Sequence, residues 1–218
     1  EDGSIVLNVG APCNVCLKED ERYATIIRLK ENRWIIEARG VRNSVGFDIN
    51  PTNGKLYFTD NGRDWMGDSM PSCELNLLAE SGDFFGFPYL HASGVKDPEF
   101  GNYEHGYEIK KPVLDLGPHV APTGIEFYTS NTFPPEYKNN AFITLHGSWN
   151  SSKKVGYKVI RVVFDDAGYP ISVTDSVTGF LDDQKVLGRP AAPYMLSDGS
   201  LLISDDHANA IYRISSSL

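Results

Sequence analysis

At 218 residues, with 20 basic and 29 acidic side chains, the chain carries a net charge of −9, and its 41% hydrophobic and 22% charged content is that of a folded domain with a sizeable core. An acidic chain without a Lys/Arg run has no electrostatic footprint for phosphate backbones or anionic lipid, which excludes nucleic acid and membrane surfaces as partners. No window approaches the roughly 18 continuous apolar residues of a membrane-spanning helix, and Glu1-Asp2-Gly3-Ser4 lacks the basic and apolar regions of a signal peptide, so the chain is expected to begin within a domain.

Glycine (20) and proline (13) are spread along the chain, and short β-branched and aromatic runs bounded by turn residues replace any 3.6-residue periodicity. The pattern predicts an all-β protein. Its first element is a tight turn at Asp2-Gly3, an apolar strand from Ile5, and a small polar terminator, Asn8. Cys13 and Cys16 follow, a close pair that reads either as a local disulfide in an oxidising compartment or as two buried thiols. Ala24–Leu29 is the next strand. The same plan returns at Asn53-Gly54 with terminator Thr59, followed by Glu74–Leu78, and leaves Cys73 without a partner. Leu90 to Lys111 reads as an insertion. A looser third copy starts at Asn139-Asn140 and ends at Thr144, followed by Tyr157–Val162; the fourth starts at Asp198-Gly199 and ends at Ser204, followed by Ala210–Ile214.

Intervals of 51, 85 and 60 residues separate Gly3, Gly54, Asn139 and Gly199, the spacing of β-propeller blades rather than of a sandwich or barrel with coincidental turns. The expected units are 1–50, 51–89, 112–180 and 181–218, with the insertion at 90–111. Four such units could close a ring alone, but interblade loops this long suit a ring of six or more blades, with further blades expected upstream of Glu1 and this chain as its C-terminal part.

In a propeller, loops leaving corresponding strands converge at one mouth. The residues just after each terminator are therefore expected to meet: Gly10 to Cys13, Asp60-Asn61-Gly62-Arg63-Asp64, His146 to Asn150, and Asp205-Asp206-His207. Loops entering from the other side would add Arg42-Asn43, His119 and Arg189. Three arginines and two histidines near one axis suit an anionic ligand, because planar guanidinium groups match carboxylates. Arg63 has Asp60, Asp64 and Asp68 as nearby charge partners in sequence, and His91 and His105 read as surface residues of the insertion. Asp60 to Asp64 offers oxygens fit for a hard cation, or equally a turn held by side-chain hydrogen bonds. Asn150-Ser151-Ser152 is a glycosylation sequon.

Taken in order, Gly40-Val-Arg42-Asn43, Gly54-Lys-Leu-Tyr-Phe-Thr-Asp60-Asn-Gly62, Glu74-Leu-Asn76, Gly82-Asp-Phe-Phe-Gly86-Phe-Pro88, His119-Val-Ala-Pro-Thr-Gly124, His146-Gly-Ser-Trp-Asn150, Gly188-Arg189-Pro190 and Ser204-Asp-Asp206 resemble the soluble sugar dehydrogenases that use pyrroloquinoline quinone (PQQ). The sorbosone and pyranose dehydrogenase branch is the nearest in pattern. The resemblance implies a six-bladed propeller with PQQ at its mouth and calcium bridging cofactor and backbone carbonyls. It implies that Arg42, Asn43, Asn61 and Arg189 contact the cofactor and that the carbonyls of Gly62 and Arg63 bind calcium. It also implies an enzyme that oxidises a sugar at its anomeric or aldehyde carbon, passes hydride to PQQ, and is served by an electron acceptor the sequence does not identify.

The chain departs from the family pattern at Arg63, where proline is frequent, at Asn150, near a lysine of the glucose enzymes, and at Ala191, where a second arginine stands. The family's catalytic histidine falls on a strand preceding Glu1, so the expectation is a cofactor-binding half without its base, completed by N-terminal blades or a partner chain. A secreted or periplasmic location accords with the disulfide reading. The alternative is the same propeller as a non-catalytic extracellular recognition module, as in hedgehog-interacting proteins.

Overall fold

A computed structural model describes residues 3–216; Asp2, part of the first expected turn, lies outside them. Sheet one runs β1 (Ile5–Val9), β2 (Thr25–Lys30) and β3 (Arg33–Arg39) in antiparallel order. Sheet two contains β4 (Phe47–Ile49), β5 (Leu56–Asp60) and β6 (Ser72–Leu78). The chain then returns to sheet one as β7 (Asp83–Phe84), parallel to β3, and forms a small hairpin of β8 (Leu90–His91) and β9 (Val95–Lys96). Next, β10 (Leu114–Pro118) closes sheet two beside β6.

Sheet three is β11 (Pro122–Phe127), β12 (Ala141–Leu145), β13 (Lys158–Phe164) and β14 (Pro170–Val177). A second hairpin, β15 (Leu181–Asp182) and β16 (Lys185–Val186), leads to sheet four: β17 (Pro190–Met195), β18 (Leu201–Asp205) and β19 (Ala210–Ile214). The four repeated strands of the sequence are β1, β5, β12 and β18. In sheets two, three and four the repeated strand is second, behind an inner strand, β4, β11 or β17. Sheets therefore cut across the expected unit boundaries: β4 falls before residue 51 and β10 after residue 111, yet both pair within sheet two. Blade pairing is set by hydrogen bonds between strands distant in sequence, which turn spacing does not record.

Each repeated strand in the middle of the molecule serves two cores, because successive side chains of a strand point to opposite faces. On β5, Leu56 and Phe58 join Ile26, Ala38 and Val41 between sheets one and two. Tyr57 turns the other way, to Ile125, Phe127 and Ile143 between sheets two and three. On β12, Ile143 and Leu145 serve that second core, whereas Phe142 meets Tyr128, Leu201 and Ile203 between sheets three and four. Both strands are buried throughout their length for this reason.

The inner strands approach closely near the axis. A Cβ on Gly46 would collide with the Thr123 carbonyl, and one on Gly124 with the Pro193 ring. Large apolar residues remain exposed on both end sheets: Ile5, Leu7, Trp34 and Ile35 on sheet one, and Tyr194 and Ile211 on sheet four. No helix among the described residues is long and apolar enough to cross a membrane.

Candidate functional site

Two sets of backbone positions build the mouth. Arg42-Asn43, His119 and Arg189 lie in the segments leading into the inner strands β4, β11 and β17, while Asn61 to Asp64 and His146 to Trp149 follow the second strands β5 and β12. Together they line one half-open cavity of about 290 Å³. All six residues named from the sequence, Arg42, Asn43, Asn61, Gly62, Arg63 and Arg189, stand on its wall, with His119 and His146. Gly10 to Cys13, Asp60, Ser148, Asn150 and Asp205 to His207, also expected at the mouth, are not among its lining residues. Cys13 and Cys16 are joined in a disulfide, and Cys73 is a buried thiol whose pKa burial pushes up to about 11.

Buried carboxylates at the ends of β5 and β18 hold the arginine-bearing segments. Asp60 accepts the backbone N–H groups of Arg42 at 2.8 Å and Asn43 at 2.6 Å. Asp205 does the same for Arg189 at 2.9 Å, and also accepts the N–H groups of His207 and Ala208. A carboxylate at the final strand position thus fixes the direction of the neighbouring inner-strand loop in two of the sheets.

The arginines differ in what they have left to offer. Arg42 spends its guanidinium on protein: Nε donates to the Asn14 carbonyl, one terminal nitrogen to the carbonyls of Asn61 and Gly62, and the other to Asn14 Oδ1 and Asp64. Five N–H groups meet five acceptors, so Arg42 is the brace of the 61–64 turn. Arg189 donates from Nε to the His146 carbonyl and from Nη2 to the Gly147 carbonyl. Among the described residues Nη1 of Arg189 donates to no protein atom, which leaves N–H groups for a ligand.

Arg63 does not pair with Asp60, Asp64 or Asp68. Its guanidinium crosses to Asp97 in the insertion, whose carboxylate also takes a bond from His91 at 2.9 Å. His91 is accordingly buried, correcting its reading as a surface residue, and burial holds its pKa below the usual value. Although burial alone would raise the Asp97 carboxyl, hydrogen bonds from His91, Phe100, Glu99 and Arg63 keep it below its usual range. Asp97 lies 34 residues beyond Arg63, and no local pattern links the two. Asn14 was missed for the same reason: it joins the site through Arg42 and Asp64 from a loop that carried only a cysteine motif.

Beneath the turn, Asp60 and Glu74 are both buried, and burial raises their pKa values to about 6 and about 8 respectively, Glu74 further through the charge of Asp60. Burial and the neighbouring Asp60 charge favour the proton on Glu74, while the backbone N–H groups of Arg42 and Asn43 favour the charge on Asp60. Asn76 donates its amide nitrogen to Glu74 at 2.9 Å, while its Oδ1 is buried without a partner. Because the folded chain binds this proton more tightly than the unfolded one, the Glu74 contribution to stability is complete below about pH 4.5 and is lost as pH rises through about 8. Glu74→Gln is expected to flatten that decline. Thermal melts should place its Tm above the parent at pH 8.5 and no higher than the parent at pH 4.5; parallel curves would remove Glu74 as the cause.

The lining sets Arg42, Arg63 and Arg189 against one lining carboxylate, Asp64, with Asp97 pairing Arg63 from the insertion, on a protein of net charge −9. That charge balance fits an anionic, oxygen-rich ligand. No group of three or more His, Cys, Asp or Glu that could hold a metal occurs among the described residues, so a hard cation at the 61–64 turn would rest on carbonyl oxygens. The Gly62 carbonyl uses one lone pair on Arg42 at 3.0 Å and retains the other. The residues present therefore fit PQQ and calcium in charge and donor chemistry.

A family profile described as TrAA12-like matches residues 32–216. An uncharacterized protein of Borreliella burgdorferi is 39% identical over 220 residues, covering 98% of this chain and 58% of that protein. A pyrroloquinoline quinone-dependent sugar dehydrogenase of Hypocrea jecorina is 28% identical over 172 residues, covering 64% of this chain and 36% of that protein. The chain thus spans less than two thirds of the length of these relatives. Among solved structures, the holo form of the pyranose dehydrogenase PQQ domain from Coprinopsis cinerea shares the fold with a TM-score of 0.79 at 21% identity, over 98% of this chain and 67% of that one. The soluble aldose sugar dehydrogenase of Escherichia coli, in its apo form, aligns with a TM-score of 0.65 at 22% identity, over 97% of this chain and 60% of that one.

Proposed function

The chain belongs to the TrAA12-like family, and from that premise we propose that it forms the cofactor-holding part, about four of six blades, of a quinoprotein sugar dehydrogenase. The observation that carries this reading is the meeting of Arg42, Asn43, Asn61, Gly62, Arg63 and Arg189 on one cation-lined cavity of an acidic protein. PQQ, when bound, supplies the acceptor for hydride from the anomeric or aldehyde carbon of a sugar. The chain's own residues bind and orient. Arg189 offers its free N–H groups to a carboxylate, Asn43 and Asn61 offer amides, and Arg42 acts through the turn it braces. The carbonyls of Gly62 and Arg63 hold calcium. Asp60 and Asp205 keep the two arginine-bearing loops at their angles.

The proton would be taken by a histidine outside these four sheets, on further blades of the same protein or on a partner chain that packs against the exposed apolar residues of sheets one and four. The Cys13–Cys16 disulfide supports a secreted or periplasmic location. One observation favours the second reading, a recognition module without redox chemistry: every guanidinium donor of Arg42 is already taken by protein. A single experiment separates the two. Full-length protein with calcium and PQQ is followed by visible absorbance while an aldose and an artificial electron acceptor are added. A spectral shift followed by dye reduction supports the dehydrogenase; no shift at high micromolar quinone overturns it.

A further inference from the structure

Two tryptophans stand at the edge of this cavity, Trp149 as part of its wall and Trp65 outside it. Trp65, on the loop after β5, and Trp149, on the loop after β12, meet edge to face with ring centroids 5.5 Å apart and planes at 86°. They are 69% and 65% exposed, although tryptophan is among the side chains most strongly drawn out of water. An exposed aromatic pair of this size marks a binding surface more often than an accident of packing.

The pair is held in place by groups that gain nothing from its exposure. Asp68 accepts the Ser152 N–H at 2.9 Å and the Ser152 hydroxyl as well, tying the first loop to the second. His119 Nε2 donates to the Gly67 carbonyl at 2.8 Å, and Asn14 clamps both the N–H and the carbonyl of Asp64. Trp65 itself sits at φ 68°, a left-handed conformation unfavourable for a bulky residue, which persists only where its surroundings impose it. These bonds tie the two loops together and bring the two rings into edge-to-face contact.

Position sets the ligand. Trp149 belongs to the cavity wall, whereas Trp65 lies outside it, so the pair leads away from the cavity along the rim. A pyranose ring has a flat face of C–H groups that stacks on an indole and a girdle of hydroxyls that needs polar neighbours; Asn150 and Lys153 flank Trp149 on its own loop, and Asp64 precedes Trp65. We propose that Trp65 and Trp149 form a subsite for a second sugar unit, so that the substrate is a linear oligosaccharide whose reducing end enters the cavity. The proposal rests on the dehydrogenase reading for the identity of the ring in the cavity, but its ledge binds sugar without cofactor.

The test uses the full-length protein free of cofactor. Intrinsic fluorescence and calorimetry are recorded with cellohexaose, maltohexaose, xylohexaose and glucose, for the parent and for Trp65→Ala and Trp149→Ala. At least one hexasaccharide is expected to shift the emission with a Kd of about 1 mM or tighter, each variant to weaken it about tenfold, and glucose to give no shift. In protein loaded with PQQ and calcium, Trp65→Ala, whose ring lies outside the cavity, should raise KM for that hexasaccharide while leaving kcat and the monosaccharide KM unchanged; Trp149→Ala, on the cavity wall, should raise the hexasaccharide KM as well. Ledge-dependent binding without dye reduction keeps the subsite and sinks the dehydrogenase. Dye reduction with a hexasaccharide KM unmoved in both variants keeps the dehydrogenase and sinks the subsite. Absence of hexasaccharide binding up to about 10 mM, the result expected of a docking patch for another protein, also overturns it.

Discussion

Replacing Arg189 with Ala is expected to weaken quinone binding about tenfold to a hundredfold while leaving the melting temperature nearly unchanged, whereas replacing Arg42 with Ala should lower both. The difference follows from where the two guanidinium groups send their protons. Arg189 retains N–H groups for a ligand, and the carbonyls of His146 and Gly147 that it would abandon border a half-open cavity where water can replace it. Arg42 is only 12% exposed at its side chain and serves five acceptors on two segments. Its loss strands several carbonyl oxygens, which costs about 3 kcal/mol, or about 6–12 °C in Tm for a domain of this size. Arg42→Lys keeps the charge but cannot reach five acceptors from one point, so it should resemble the alanine variant in Tm. Thermal melts and quinone titration check both halves. An Arg42→Ala protein with unchanged Tm would refute the bracing role; an Arg189→Ala protein that binds quinone normally would remove Arg189 from the site.

The second large effect is expected at Asp60. Asp60→Ala leaves the N–H groups of Arg42 and Asn43 without their acceptor in a buried position, a loss of about 2–6 kcal/mol. Asp60→Asn retains one acceptor oxygen but turns amide hydrogens toward the other N–H, so an intermediate loss is expected, with faster hydrogen exchange at Arg42 and Asn43. The same variant removes the charge that helps raise Glu74, whose pKa should then fall from about 8 toward the usual carboxylate range. The decline of stability with rising pH would therefore shift to lower pH in Asp60→Asn. A variant with parental Tm and an unmoved pH profile would show that Asp60 neither anchors the loop nor charges its neighbour.

These expectations separate what is legible in a strand pattern from what is not. Alternating apolar residues, turn glycines and polar terminators are local, and they placed β1, β5, β12 and β18 and the strands that follow them. Because equivalent loops of stacked sheets open on one side, the same repeats also located Arg42, Asn43, Asn61, Gly62, Arg63 and Arg189 on a common wall. The subsite tryptophans were visible only as letters within the Asp60 to Asp64 neighbourhood and the His146 to Asn150 motif. Nothing in their spacing indicates that Asp68 and Ser152 would draw the two loops together.

What the sequence by itself determined is the all-β class, the fourfold repeat, and the identity of the residues that gather at the mouth of an acidic chain. What only the tertiary structure decided is how those residues divide the work. It paired β4 and β10 within sheet two across the apparent repeat boundaries, spent Arg42 on the turn while leaving part of Arg189 free, and sent Arg63 to Asp97 and His91. The physical reason is common to all of these. Side-chain alternation is dictated by neighbours two residues away, whereas a guanidinium finds its partner by distance in space: Asn61 for Arg42, Asp97 for Arg63 and His146 for Arg189 lie 19, 34 and 43 residues away along the chain.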